Sequence, residues 1–559
     1  MTATRASEFG VSDLDVGDSC APARRPHAAP ILRVRIASMA TAGVICLVYL
    51  VYRPPSIDYA SGDFRARLFQ QGAFVWNNLW FGGHPLPGYG VVSPMISGVF
   101  GVVPVAVASV LLGTWCFILL AEGWAAAHPE LPDPVITVIL FACGCGVNLW
   151  AGRLTFTPAV AFGVACLLAR QRDHRRLAVL LAALCGLSSP VGALSLAVVL
   201  SALWLADSGS RRHTFFVAAA AVIPIGMLIV LFPEGGWYPF TGGSFFLLCV
   251  ALAVIGWCGR DIKVVRWTVG VYALVAIAAF VVKSPLGGNV VRLGWLASGP
   301  AGAVVIRRHR RTLLPAFAAF SLIWGWAYVS MSIQRSTPTA SAAYYESLAS
   351  YINALPGEQR VEVVPTDTYL QADVLAIEIN IARGWETQID RELNPEFYGN
   401  QLTDANFHLW LQQHAVQYVA VPLVGVHDKS IDEAAIINAR PSYLRQVWAD
   451  SKWKLYRVLD PLPLADNNAT VIDVQPESLT IDARAAGPTT VRFRFTHMYA
   501  VTSGDACVSA NPDGWIALDV RRPGIIRLEI SVANSLSFGH GPTCSATVNS
   551  DSNGSTPDP

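Results

Sequence analysis

Two acidic residues stand out in the polar segment that follows the first apolar stretch of the sequence. Asp58 and Asp63 lie there among aromatic, glycine and proline residues, in a segment longer than a simple connection requires. A carboxylate in such a place can take the proton of a hydroxyl group and act as a general base. Either acid could instead be a solvated loop residue, and the sequence leaves open which of the two would serve as base.

Cationic and polar residues recur near the same predicted membrane face. They include Arg65, Arg67, His84, Arg153, Glu234, Lys283, Asn289 and Arg292. Ionisable groups at membrane depth are costly unless they pair or line a wet cavity. Arg292 lies inside an apolar run and close to Lys283, so that a bound anion would stabilise both. The alternatives are interfacial anchoring for Arg65 and Arg67 and loop packing for His84. We predict that this group forms a substrate-binding site.

The chain that positions these residues is too apolar for a soluble protein of its length. Hydrophobic residues make up 53% of the sequence and charged residues only 14%, whereas soluble domains are about a quarter charged. Eleven apolar runs are long enough to suggest membrane helices. They lie near 32–52, 94–122, 135–150, 154–170, 177–189, 191–207, 214–232, 242–258, 265–283, 290–306 and 312–332. We therefore predict a polytopic α-helical membrane domain over residues 32–332, with a long first external loop at 53–93.

The basic residues between these runs predict an orientation. Clusters precede the first run and follow the fourth, sixth, eighth and tenth runs, for example Arg307-Arg-His-Arg-Arg311. With eleven spans and a cytoplasmic N-terminus, every cluster lies on the cytoplasmic side, as membrane proteins prefer. The sequence thus predicts a multi-pass protein of the cell (plasma) membrane, with residues 1–31 disordered in the cytoplasm and the tail outside. The net charge of +1 gives no argument for a nucleic-acid partner.

The tail after the last apolar run has the composition of a soluble protein. Alternating strand and helix patterns predict an α/β domain at 333–465, and alternating β patterns predict a β-sandwich-like module at 466–548. Residues 549–559 are predicted to be disordered. Cys507 and Cys544 are the only cysteines of the tail and could form a disulfide outside the cytoplasm. Arg383 and Trp385 lie in a polar, aromatic loop that could bind an acceptor glycan, or else pack in the core.

The absence of nucleotide-binding and zinc-protease motifs narrows the chemistry. A group-transfer enzyme outside the cytoplasm needs a donor that is already in the membrane, such as a sugar linked to a lipid phosphate. One carboxylate would then deprotonate the acceptor, while arginines stabilise the departing phosphate. No cofactor can be assigned, and a divalent metal is possible but not indicated.

The sequence resembles the GT-C class of membrane glycosyltransferases in its many spans, its long first external loop and its external tail. Asp58 and Asp63 occupy the place of that class's acid, although its adjacent acidic pair is missing. The spacing from Asp63 to Trp76-Asn77 and Phe81-Gly-Gly-His84-Pro is also similar to that of bacterial proteins distantly grouped with the class. The resemblance implies transfer of a hexosyl or pentosyl group from a polyprenyl-phosphate-linked donor to an envelope (cell-wall) glycan or lipid acceptor.

Two other functions compete with a transferase. A transporter of a lipid-linked glycan would show internal repeats and broken helices with polar residues at mid-membrane, and no clear repeat is present. A non-catalytic protein of cell-envelope polysaccharide assembly would tolerate the loss of Asp58 and Asp63, but not of the fold of its tail.

Overall fold

The computed structural model describes residues 28–127, 134–233, 235–306, 313–333, 337–531, 533 and 543–544. A helical region comes first and a β-rich region follows. The predicted termini at 1–31 and 549–559 lie largely or wholly outside these ranges, as does Glu234.

The helical region contains thirteen α-helices among the described residues. They are α1 (Ala28–Tyr52), α2 (Ile57–Gln70), α3 (Val92–Phe100), α4 (Val102–Ala127), α5 (Val135–Trp150), α6 (Phe156–Gln171), α7 (Arg175–Ser188), α8 (Pro190–Ala206), α9 (Arg211–Leu231), α10 (Gly242–Cys258), α11 (Lys263–Val281), α12 (Val291–Val305) and α13 (Leu313–Ile333). Four of them, α1, α4, α9 and α11, are long and apolar enough to cross a membrane. The chain is therefore a multi-pass membrane protein.

Each of the eleven apolar runs coincides with helical structure. One run, 94–122, is divided into α3 and α4 at Gly101, whose φ of 85° ends the first helix. Several of the other helices have only 14 to 17 residues, which corresponds to ~21–26 Å. Because the hydrocarbon core is ~30 Å thick, the number of complete crossings stays a prediction.

The first part of the tail is an α/β unit with a five-stranded mixed sheet. Its strands are β3 (Arg360–Val363), β4 (Asn380–Ile381), β5 (Tyr418–Pro422), β6 (Leu444–Ala449) and β7 (Trp453–Val458), in the order β4-β3-β5-β7-β6. Strand β3 runs parallel to β4 and β5, and β7 runs antiparallel to β5 and β6. The helices are α14 (Glu346–Asn353), α15 (Gln371–Val374), α16 (Thr387–Leu393), α17 (Asp404–Gln413) and α18 (Ile431–Asn438).

The second part of the tail is one antiparallel sheet rather than two separate sheets. Its strands are β8 (Ala469–Gln475), β9 (Ser478–Ala483), β10 (Gly487–Arg494), β11 (Tyr499–Ala510), β12 (Trp515–Ile530) and β13 (Thr543–Cys544). Strand β12 is long enough to change partners along its length: its first residues pair with β10, and its last residues pair with β9. Strand β12 thus links strands into one sheet, where the sequence pattern had suggested a sandwich-like module.

The first loop is not a free loop but part of the core of the tail. It begins with α2 and then forms a short hairpin of β1 (Trp76–Asn77) and β2 (His84–Pro85). Phe64, Leu79 and Trp80 belong to the same buried apolar cluster as Val361 and Ile481 of the tail. The first loop and the tail therefore share one hydrophobic core, which is separate from the clusters formed by the membrane helices.

Hydrogen bonds fix this hairpin to both halves of the tail. The indole of Trp80 donates to the carbonyl of Ala372 (2.9 Å), and the hydroxyl of Tyr499 donates to Oδ1 of Asn78 (2.7 Å). Oε1 of Glu477 accepts from the backbone N–H groups of residues 74–76 at 2.6–3.2 Å. These contacts hold the hairpin against both parts of the tail.

Candidate active site

A polar cavity of about 480 Å³ lies where the ends of the membrane helices meet the tail. The membrane side contributes α2, residues of α3 and α12 and the segment before α6, and the tail contributes the start of α16 and the turn before α18. Six of the residues selected from the sequence line it. They are Asp58, Arg65, Arg153, Asn289, Arg292 and Trp385.

Helix α2 presents one face to the cavity. Asp58, Ser61, Gly62 and Arg65 all line it, and their spacing of three, four and seven residues places them on one side of a helix. Asp58 also lies in the first turn of α2, where the helix dipole favours a negative charge. The helix thus places a carboxylate, that of Asp58, and a guanidinium, that of Arg65, on the same wall of the cavity.

Asp58 faces a cation across the cavity. Nη2 of Arg292 lies 4.0 Å from Oδ2 of Asp58. The carboxylate is 44% exposed, whereas the guanidinium is only 10% exposed. Nε of Arg292 is buried without a hydrogen-bond partner among the described residues. This arrangement offers an accessible carboxylate next to a cation that has spare hydrogen-bonding capacity.

A second guanidinium is held in the cavity wall by an aromatic ring. Arg153 lies over Trp295 of α12, with 4.1 Å between the guanidinium carbon and the ring centroid. Such cation–π contacts are most favourable when both groups are shielded from water. Asn289, in the short 3-10 turn before α12, lines the same part of the cavity.

The tail closes one end of the cavity through a buried ion pair. Nε of Arg65 donates to Oε1 of Glu386 (3.0 Å), Nη2 donates to the same oxygen, and Nη1 donates to the carbonyl of Leu86 (2.9 Å). Oε2 of Glu386 is buried with no hydrogen-bond partner in the described part of the chain. Burial raises the pKa of Glu386, although Arg65 opposes that shift. Burial also raises the pKa of Tyr89, beneath the guanidinium of Arg65, to about 12.

Aromatic side chains of the tail form another part of the wall. The ring centroids of Trp385 and Tyr369 are 3.6 Å apart, and His427 packs on Tyr369 at 4.7 Å. Trp385 and His427 both line the cavity. Aromatic faces of this kind can pack against a sugar ring or a lipid chain.

Arg383, another candidate from the sequence, does not line the cavity but orders the segment that does. Its guanidinium is buried and binds Asp390 (2.8 Å), Glu433 (3.1 Å) and Glu362 (3.5 Å). Asp390 also accepts from the hydroxyl of Tyr398 (2.6 Å). This cluster fixes residues 383–398 and so positions Trp385 and Glu386.

Asp63 and Arg67 lie on a different face of α2 from Asp58. Nε of Arg67 donates to Asp63 (3.0 Å) and lies 3.6 Å from Asp373 of the tail. Five residues along a helix correspond to a rotation of about 140° between Asp58 and Asp63. Asp63 therefore belongs to the contact between α2 and α15, and neither it nor Arg67 lines the cavity.

His84 and Lys283 also lie outside the cavity. His84 is buried in the hairpin, where Nε2 is 3.1 Å from Nδ2 of Asn77, and burial lowers its pKa to about 3. Lys283 is exposed, with Nζ 5.3 Å from the centroid of the Trp237 ring. His84 is thus a packed neutral imidazole, and Lys283 lies on the protein surface next to Trp237.

Most residues of the cavity were not selected from the sequence, and those of the tail include three that could act on a substrate. Glu386, His427 and Lys429 reach the cavity only because the tail docks on the membrane domain. The one available signal was the polar density of the 383–398 segment, in which Glu386 directly follows Trp385. The turn at 427–429 carries no comparable pattern.

An apolar groove of about 510 Å³ adjoins the polar cavity. It follows α6 from Phe156 to Arg170 and is lined almost entirely by apolar side chains of the membrane helices. Helix α6 has 16 residues, a length of ~24 Å. Phe156 lies between the two spaces, since it lines the groove and its ring is 5.6 Å from the guanidinium of Arg292, which lines the cavity.

Two further features concern covalent and metal chemistry. Cys507 and Cys544 are joined by a disulfide, and they also pair across strands β11 and β13. Within the described ranges, no group of three or more His, Cys, Asp or Glu side chains could hold a metal ion.

Among known proteins, solved structures are similar to this chain, but no sequence match was found. No protein-family model matches the chain, and no curated protein does. ArnT from Cupriavidus metallidurans in the apo state is similar with a TM-score of 0.38 and 14% identity, over 77% of this chain and 98% of that chain. ArnT bound to undecaprenyl phosphate gives 0.37 and 13%, over 75% and 97%. At these values the likeness transfers neither an activity nor a ligand to this chain.

Proposed function

We propose that this protein is a membrane glycosyltransferase that uses a polyprenyl-phosphate-linked sugar donor. The observation that carries the proposal is that the charged cavity and the apolar groove lie next to each other, with Phe156 of the groove 5.6 Å from Arg292 of the cavity. A polyprenyl-phosphate sugar has the same two parts, a long apolar chain and an anionic, sugar-bearing head. The groove would hold the chain, and the cavity would hold the head.

Asp58 is the proposed general base. Its exposed carboxylate takes the proton of an acceptor hydroxyl as the hydroxyl oxygen attacks the anomeric carbon of the donor sugar. The bond from that carbon to the phosphate oxygen breaks, and its electron pair leaves with the polyprenyl phosphate. Arg292 and Arg153 stabilise the negative charge on the departing phosphate.

The tail would complete the site from the other side. Trp385 offers a ring against which a sugar can pack, and the Arg65–Glu386 pair holds the Trp385 segment against α2. The acceptor would enter beside the turn at 427–429. In this proposal the acceptor is an extracytoplasmic envelope glycan or lipid, and the transferred group is a hexosyl or pentosyl residue.

The proposed topology has eleven spans, a cytoplasmic N-terminus and an extracytoplasmic tail. The α/β domain would cover 333–465 and the β-rich module 466–548. The cavity lies between the helix ends and the tail, so a donor embedded in the outer leaflet could reach it without leaving the membrane. The Cys507–Cys544 disulfide is in keeping with an extracytoplasmic tail.

Transfer from defined donors tests the proposal. Purified protein in lipid nanodiscs would be supplied with radiolabelled polyprenyl-phosphate hexoses and pentoses and with an envelope extract as acceptor. We expect label to enter the acceptor fraction with the wild type and not with Asp58→Asn. Absence of transfer from every donor, together with no binding of polyprenyl phosphate, would reject the proposal.

A further inference from the structure

The turn between β5 and α18 carries an unusual group of exposed apolar side chains. Leu423, Val424 and Ile431 are 44%, 48% and 56% exposed. We name residues 423–431 the apical segment. Single exposed apolar residues are common on proteins, but a contiguous group marks a contact surface.

One end of the apical segment is fixed to the chain that leaves the membrane. The backbone N–H of Asp367 donates to the carbonyl of Gly425 (2.7 Å), and the hydroxyl of Thr337 donates to the Asp367 carboxylate (3.0 Å). Thr337 is four positions beyond Ile333, the last residue of α13. Four residues span at most ~14 Å, so the segment is held close to the membrane end of α13.

The other end borders the polar cavity. His427, Asp428 and Lys429 line it opposite Ser93, Thr155 and Thr241, which lie at the ends of membrane helices. Both ends of the apical segment therefore lie at the level where the membrane helices terminate.

We propose that the apical segment inserts Leu423, Val424 and Ile431 into the headgroup region of the leaflet on the cavity side of the membrane. The partner is the lipid bilayer itself. Transfer of exposed apolar surface out of water stabilises the contact. The inserted segment forms the wall between the cavity and the surrounding lipid.

The charges around the segment indicate what kind of lipid it requires. Asp428 and Asp432 lie in the segment or next to it, and Lys429 and Lys452 lie near its two ends. Asp367, which binds Gly425, adds a further negative charge. The surroundings of the segment therefore carry no excess of positive charge, and the lysine stems can extend so that the ammonium groups stay in water. Insertion therefore depends on apolar contact and needs no anionic lipid.

The test measures lipid exposure and uses no substrate, so its result is separate from that of any transfer assay. A nitroxide would be attached through a genetically encoded amino acid, because eight free cysteines among the described residues preclude thiol labelling. Positions 423, 424 and 431 are compared with Ile472 and Ile525, which are also exposed but lie on the β module. Each labelled protein is first checked for an unchanged thermal transition.

In nanodiscs of zwitterionic lipid, we expect labels at 423, 424 and 431 to collide more often with dissolved oxygen and less often with a water-soluble nickel chelate than labels at 472 and 525. The same contrast is expected when anionic lipid is added. Equal accessibility at all five positions would overturn the proposal, as would protection that appears only with anionic lipid.

Discussion

The guanidinium of Arg292 lies 4.0 Å from the carboxylate of Asp58, and the two side chains come from opposite walls of one cavity. Each group supplies a counter-charge to the other. An anion that binds Arg292 would leave the Asp58 carboxylate available to an acceptor hydroxyl. In the proposed reaction, donor binding at Arg292 would therefore control the availability of Asp58 as base.

Replacement of Asp58 should abolish most transfer. Asp58→Asn removes the proton acceptor but keeps the shape of the side chain, and general-base catalysis contributes about 10²–10⁴-fold in rate. Initial rates of transfer from the active donor would measure the loss. The matched control is Asp63→Asn on the same helix, which should retain activity because Asp63 faces α15. Equal loss in both variants would contradict the assignment.

Replacement of Arg292 should weaken binding of the leaving group. Arg292→Gln removes a cation from the cavity, so the dissociation constant for polyprenyl phosphate should rise about tenfold or more. Arg292→Lys should restore part of the affinity, since the charge is kept but the planar fork is lost. Lys283→Gln serves as control because Lys283 lies outside the cavity. An unchanged affinity in Arg292→Gln would place the phosphate elsewhere.

Removal of one partner of the Arg65–Glu386 pair should destabilise the protein more than replacement of both partners by apolar residues. Glu386→Ala leaves the buried guanidinium of Arg65 without its carboxylate, and loss of one partner of a buried pair costs about 3–5 kcal/mol. The double variant Arg65→Met, Glu386→Leu removes both charges and should unfold at a higher temperature than Glu386→Ala. Thermal unfolding in nanodiscs would compare the two. A double variant no more stable than the single one would show that the charges themselves are not the cause.

Stability should depend on pH through Asp373. Burial, and then the nearby Asp63, raise the pKa of Asp373 well above its ordinary value, and Arg67 opposes the shift. The folded chain therefore holds this proton more tightly than the unfolded chain. Wild-type stability should fall as the pH rises above about 4, the ordinary pKa of an aspartate, and level off above the folded-state pKa.

The variant Asp373→Asn cannot titrate at this position, so it should lack this part of the pH dependence. Its thermal stability relative to the wild type should increase over the same pH window and stay constant beyond it. Unfolding temperatures across a pH series would measure the difference. A constant difference between the two proteins at every pH would exclude Asp373 as the cause.

The sequence predicted the helices and much of the cavity because both follow from local composition. Each predicted apolar run coincides with helical structure, since lipid requires apolar side chains over a whole segment. Asp58, Arg153 and Arg292 were selected because charged groups close to lipid are rare. These selections needed no knowledge of how the tail packs.

The parts of the site that the sequence did not predict depend on how the tail packs against the membrane helices. Glu386 and Lys429 reach the cavity from segments more than 300 residues away from α2. The aromatic residues around Trp80 resembled a binding loop, but they fill the core of the tail. The sequence could not distinguish Asp58 from Asp63, because both were predicted to lie in a loop. Only the formation of α2 places the two carboxylates on different faces of a helix.

The hairpin that is buried in the tail has a consequence for how the protein is made. Residues 76–85 leave the ribosome long before β3, β5 and β9, yet they complete the core around those strands. The hairpin must remain without these partners until strands that lie hundreds of residues later in the chain have been synthesised. Contacts so distant in sequence form slowly. A tail produced by itself would lack Trp80 and expose the apolar surface that this side chain covers.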